Sequence, residues 1–138
     1  MNIDGIPAYL IKAVARPNIN LGVITLDHIN LKRKLKGKSE WQDLSITLYD
    51  PIVPSGAQAV MEWVRLAHES VTGRNGYADM YKKDIQIQVL GPVGDIVEKW
   101  DLKGAFPSSV DFTGMDWANA EAMTINLTLS MDYCILQF

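Results

Sequence analysis

The sequence predicts an α+β, mainly β fold: an antiparallel β-barrel or sandwich carrying one amphipathic helix. Three observations point there. Residues 123–133 alternate strictly, with Met123, Ile125, Leu127, Leu129, Met131 and Tyr133 apolar and Thr124, Asn126, Thr128, Ser130 and Asp132 polar. That is the period of a strand with one face in a core. One stretch alone, beginning at Ser55, has helical spacing, and the other apolar runs are short, β-prone and separated by Gly, Pro and Asn.

Taken in order, residues 8–15 form a first β-prone run closed by Arg16, Pro17 and Asn18, and residues 19–31 form a second. Five basic residues, Lys32, Arg33, Lys34, Lys36 and Lys38, then surround Gly37, and alternation resumes over 41–49. This predicts a long hairpin with a basic tip at the turn-permissive glycine. Asp50 and Pro51 end the strand, because proline lacks the ladder donor. Ser55 is a good N-cap and Gln58 completes a capping box, with Val60, Trp63, Val64, Ala67 and Val71 forming one apolar stripe that Gly73 terminates. Residues 84–90 and 95–103 flank a Gly-Pro-Val-Gly turn and predict a second hairpin. Residues 104–107 break that strand, 108–112 form a short edge piece, and 114–120 form a loop. The terminal strand then runs from Met123 to Phe138, tying the terminus into a sheet.

Composition narrows the function. A chain of 138 residues with a net charge of −3 predicts a single domain, 1–138, with a real core and a folded surface of about 7,200 Å². It does not predict a protein that grips nucleic acid, which needs a basic surface to release phosphate counterions. Cys134 is the only cysteine, so it reads as a small core residue rather than half of a disulfide or part of a thiolate metal cage. The opening residues lack a leader pattern and no run is long and apolar enough to span a bilayer, which predicts a soluble protein without a membrane anchor.

Catalytic patterns are missing. His28 and His68 each have an acidic neighbour in sequence, Asp27 and Glu69, but adjacent residues do not face one another on a strand or helix. The carboxylates are scattered over strand ends and turns, and residues 91–94 lack the lysine and helix of a phosphate loop. Neither a cofactor nor a metal is expected. The four tryptophans, Trp41, Trp63, Trp100 and Trp117, are too dispersed for a base-stacking platform and read as core or interface anchors. The basic run has two readings, a solvated tip that protects a sheet edge from aggregation or a contact for an acidic surface such as another copy of this chain.

The order of certain pieces resembles the tail tube proteins of contractile-tailed bacteriophages, whose fold is shared with tube proteins of tailocins, contractile injection systems and type VI secretion. The pieces are Ile6-Pro-Ala-Tyr-Leu10, Trp41-Gln-Asp-Leu-Ser-Ile-Thr-Leu-Tyr-Asp50, the single helix, Trp100-Asp-Leu-Lys-Gly-Ala-Phe-Pro107 and the alternating strand with Met131-Asp-Tyr133. The resemblance spans nearly the whole chain. It implies a homohexameric ring with a continuous inner β-barrel, stacked into a hollow tube inside a sheath, mounted on a baseplate and threaded by a tape-measure protein. The genome would pass through the lumen without specific binding, in a virion tail assembled in the host cytoplasm. Six copies at −3 each carry −18, which disfavours retention of DNA.

Under this resemblance Lys32, Arg33, Lys34, Lys36 and Lys38 are the expected contact with the next ring. Asp43, Ser45, Thr47, Gln86, Gln88, Asp95, Lys99 and Asp101 are alternate polar positions expected to line the lumen. A tube initiator in the baseplate, a terminator, or the tube of a DNA-free injection particle fits the same pattern. A monomeric β-barrel binding module or small enzyme is the alternative of another class.

Overall fold

The computed structural model describes residues 1–52, 55–118 and 120–137. The chain runs through a 3₁₀ turn (Ala8–Leu10), β1 (Ile11–Val14), β2 (Ile19–Asn20), β3 (Val23–His28), β4 (Leu31–Lys36), β5 (Glu40–Trp41) and β6 (Leu44–Tyr49). It continues through α1 (Gly56–Ala67), α2 (Ala78–Tyr81), β7 (Lys83–Leu90), β8 (Ile96–Phe112), β9 (Thr124–Ser130) and β10 (Tyr133–Leu136).

The 17-residue strand β8 is the spine. Its first half pairs with β7 on one side and β10 on the other, while its second half pairs with β9, which passes the ladder to β6 and then β1. All these pairings are antiparallel, and the sheet curls into a half-barrel. Inward side chains of both halves meet in one core: Leu44, Ile46 and Leu48 with Ile125, Leu127 and Leu129 from one half, Ile85, Ile87, Leu102 and Cys134 from the other. Helix α1 adds Val60 and Trp63. Trp63 Nε1 donates to the Tyr81 carbonyl at 2.7 Å, so burial of the indole leaves no unpaired donor.

The expected break at 104–107 does not occur. Gly104 bends β8 instead of ending it, adopting φ +65°, a conformation open to glycine. A Cβ at this position would collide with the Asp132 carboxylate. Pro107 is accommodated at a register irregularity between Pro107 and Ser109, where the missing ladder donor is tolerated. The terminal strand, expected to be continuous, is divided at Met131 and Asp132 into β9 and β10. Its register along β8 is nevertheless unbroken, since Ser130 faces Phe106 and Tyr133 faces Lys103. The division marks the bend opposite Gly104, held by Lys82 Nζ on both Asp132 oxygens at 2.9 and 3.0 Å. Phe138, placed in that strand by the alternation, lies outside the described residues.

Asp84 supports the same bend. The Gly104 N–H and then Lys103 donate to its carboxylate and hold it below the ordinary value of 3.8. A carboxylate lowered on folding stabilises the fold above its unfolded value, and this contribution is lost as pH falls through the folded value. Replacing Gly104 by alanine is expected to lower the unfolding free energy by about 1–3 kcal/mol, because it strains the backbone and displaces Asp132. Urea denaturation of the variant measures this.

The helix begins as expected, with Ser55 Oγ accepting from Gln58 N–H at 3.4 Å and Asp50 Oδ1 accepting from Ala57 N–H at 3.2 Å. It ends sooner. His68 leaves helical geometry, its ring meets Asn75 at 2.8 Å, and Gly76 N–H donates back to the Ala67 carbonyl. Val71, counted in the apolar stripe, therefore lies beyond the helix and is 92 % exposed. The first β-prone run also starts late, because Pro7 opens a 3₁₀ turn and Leu10 N–H donates to the Pro7 carbonyl.

The largest departure concerns the basic run. Ile19 to Leu31 is not one strand: β3 and β4 form a two-stranded ribbon that reverses at Ile29 and Asn30, so the lysines stand along β4 rather than at a tip. Gly37 does not turn the chain. Its N–H donates to the Gly22 carbonyl at 3.3 Å, and a Cβ on it would lie 3.3 Å from Gly22 C. The missing side chain lets two backbones cross at the base of the ribbon.

Candidate functional site

The ribbon is set by pairs running from Val23 opposite Lys36 to His28 opposite Leu31. Cross-strand partners share a face, so Val23, Thr25, Asp27, Lys32, Lys34 and Lys36 lie on one side. Ile24, Leu26, His28, Leu31, Arg33 and Leu35 lie on the other. Of the predicted contact residues, Lys32, Lys34 and Lys36 are thus brought together, Arg33 joins the apolar face, and Lys38 sits past the strand at the hinge. Every residue of both strands is exposed, and Ile29 at the turn is fully so, at 101 %. An isolated two-stranded ribbon with one apolar face is marginal in water, and covering it stabilises it.

The polar candidates do not form one surface. Ser45 and Thr47 lie on the outward face of β6, beside Asn126 and Thr128 of β9 and Ser109 of β8. Thr47 Oγ1 donates to Asn126 Oδ1 at 3.4 Å. Gln86, Gln88, Lys99 and Asp101 lie on the outward face of the β7–β8 half, where Gln86 faces Asp101 and Gln88 faces Lys99. Both halves share the core between them, so these outward faces point away from one another. Asp43 precedes β6, and Asp95 sits in the β7–β8 turn, its carbonyl accepting from Gly91 N–H at 2.7 Å. Gln137 Nε2 reaches Asp101 Oδ2 at 2.9 Å, while Asp101 Oδ1 is enclosed without a partner among the described residues.

Two strand edges complete the candidate surfaces. In the order β1-β6-β9-β8, β1 is terminal on one side, and β8 beyond Pro107 is terminal on the other. Four strands of alternating direction leave these two edges antiparallel to each other. One copy can therefore pair with the next by ordinary antiparallel ladders.

The loop expected at 114–120 lies between β8 and β9, but sequence reasoning missed how far its large apolar residues are exposed. Trp117 is 106 % exposed and Met115 85 %, whereas Trp63 is core and Trp41 and Trp100 pack partly buried against it. The only sequence signal was the placement of large apolar residues in a loop. Cys134 is buried, and loss of solvation pushes its thiol up to about 11 from an ordinary 9.0. It stays protonated, and the fold loses stability as pH rises above 9.0. Among the described residues, no group of three or more metal-ligating side chains assembles and no helix is long and apolar enough to cross a membrane.

The profile of the T4-like virus tail tube protein gp19 family matches residues 1–135. The chain belongs to that family. Its role is that of a structural tail tube protein rather than an enzyme. Among solved structures, a chain of the sheath-tube complex of an extracellular contractile injection system, in its extended state, is 21 % identical with a TM-score of 0.73, covering 96 % of this chain and 81 % of that one. A chain from the sheath/tube terminator of such a system is 20 % identical with a TM-score of 0.74, covering 96 % of each. Hcp1 from Flavobacterium johnsoniae is 10 % identical with a TM-score of 0.58, covering 92 % of this chain and 85 % of that one. No curated protein sequence matches significantly. At these identities the likeness shows that this tail tube protein shares their fold.

Proposed function

We propose that this tail tube protein forms homohexameric rings that stack into the hollow inner tube of a contractile phage tail. One observation carries the reading: the isolated chain exposes 9819 Å², about 2,600 Å² more than a compact chain of its size. That excess exceeds a standard protein interface of about 1,600 Å², and the bare ribbon contributes to it. Laterally, the β1 edge of one copy pairs with the β8 edge of the next, so six copies of the four-stranded half close a twenty-four-stranded barrel with no free edge. Ser45, Thr47, Ser109, Asn126 and Thr128 then face the lumen together with Asp111, the partner of Asn126, a polar lining whose carboxylates repel a polyanion and let it slide. This leaves Gln86, Gln88, Lys99 and Asp101 on the outside, toward the sheath. A tape-measure protein and DNA occupy the lumen, a baseplate starts the tube, and assembly takes place in the host cytoplasm. Axially, the ribbon with Lys32, Lys34 and Lys36 reaches the next ring, an open head-to-tail contact that propagates.

Negative-stain imaging and light scattering of the concentrated protein are expected to show rings and tubes, and compact monomers at every concentration would overturn the proposal. A second reading, a ring at the end of the tube, is favoured by equal likeness to the terminator chain. It predicts single rings that never elongate. Changing Lys32, Lys34 and Lys36 to glutamate is expected to prevent stacking while altering monomer stability by no more than about 0.5 kcal/mol, since the side chains are solvated. Full-length tubes from that variant, seen by electron microscopy, would remove the ribbon's basic face from the axial role.

A further inference from the structure

We infer that the described residues of the loop between β8 and β9, with Lys12, form the socket that receives the ribbon turn of a copy in the adjacent ring. The inference rests on the stacked-ring reading and names the missing half of its axial contact.

Topology supplies the first argument. Tyr49 faces Thr124, and Ile125 faces Phe112, so the end of β6, the start of β9 and the end of β8 share one rim of the four-stranded half, where the loop emerges. The ribbon emerges between the end of β1 and the start of β6, at the rim where Ser130 faces Phe106. Ribbon and loop therefore sit at opposite ends of the same strands, and no chain can satisfy its own socket. Successive rings in the same orientation bring one rim against the other, the condition for an open heterologous contact. With six residues per strand, the ribbon spans about 20 Å, long enough to cross a rim.

Chemistry supplies the second. The loop encloses a groove of about 620 Å³ lined by Met115, Trp117 and Met123 together with Asp116, Glu121 and Lys12. Met115 and Trp117 are almost wholly exposed in the single chain. The ribbon offers Ile29 at its turn and Leu31 and Leu35 on its apolar face, bordered by lysines. Charge is complementary. Residues 104–138 contain no lysine, arginine or histidine, and Asp111, Asp116 and Glu121 stand at the loop's end of the strands, whereas residues 32–38 hold five basic groups. Among the described lining residues Lys12 is the one cation, and its ammonium is directed to the Tyr49 ring, 5.7 Å from the centroid. An apolar centre with oppositely charged borders gives both affinity and register.

Mixing of rings tests the assignment. Ile29→Asp should give rings with a dead ribbon, and Trp117→Asp rings with a dead socket; both positions are fully exposed, so the fold of each variant is retained. Each alone is expected to stop at single rings by electron microscopy. Mixed preformed rings are expected to form double rings and nothing longer, because one functional ribbon then meets one functional socket. Tubes from Trp117→Asp alone, or a mixture that leaves single rings, would overturn the socket while leaving the stacked-ring reading intact if the unsubstituted protein makes tubes. If the unsubstituted protein makes no rings or tubes, both readings fall.

Discussion

Replacing residues 23–36 by a short Gly-Ser link is expected to convert tubes quantitatively into free rings. The ribbon adds nothing to the core, since both of its strands are exposed along their length, and its base is closed by the Gly22 and Gly37 crossing and the two pairs of β2 with β5. Removing an element that buries nothing leaves the unfolding transition nearly unchanged, whereas an axial contact repeated six times per ring is lost at every copy together. Sedimentation velocity measures the outcome. A tube fraction equal to that of the unsubstituted protein would show that stacking uses another surface, and loss of rings as well would show that the ribbon also joins neighbours within a ring.

Trp63→Ala is expected to cost about 3–5 kcal/mol of stability, the largest effect of any single substitution considered. The side chain is 2 % exposed, packs in the core beneath the curled sheet, and receives Lys83 Nζ at 5.1 Å from its ring. Its indole N–H also ties α1 to the Tyr81 carbonyl at the end of α2. Trp63→Phe keeps most of the volume and loses the hydrogen bond, so it should fall well short of the alanine effect. Guanidinium unfolding of the two variants separates packing from tethering: equal losses would assign the whole effect to the hydrogen bond.

The α+β architecture and the identity of most inward-facing residues were legible because their signals are short-range. Leu44, Ile46 and Leu48 and the series from Ile125 to Leu129 alternate, and each is buried where its period places it. The helix start was equally plain, because a cap acts over three residues. Its end was not: Val71 continues the apolar period, but contact with Asn75 and Gly76 overrides it. Glycine was ambiguous in the same way. Gly37 looked like a chain reversal and Gly104 like a strand break, yet one permits a backbone crossing and the other a bend.

The functional surfaces divide along this line. The basic character of residues 32–38 and the polar faces around Ser45 and Gln86 are written in the chain itself, because side-chain alternation is a property of any strand. Which of those faces lie on the same side was decided by the tertiary structure. Gln86 and Ser45 are equivalent in local pattern, but the bend at Gly104 lets β8 carry two halves of a curled sheet around one core and turns their outer faces apart. The opposition of ribbon and Trp117 loop at two rims likewise follows from strand directions over the whole fold. The sequence by itself therefore determined the inward-facing alternation of β6, β7 and β9, the helix start and the charges. Tertiary structure decided edges, rims and facing, because these depend on pairings between residues as far apart as Thr47 and Asn126, whose closure no local period encodes.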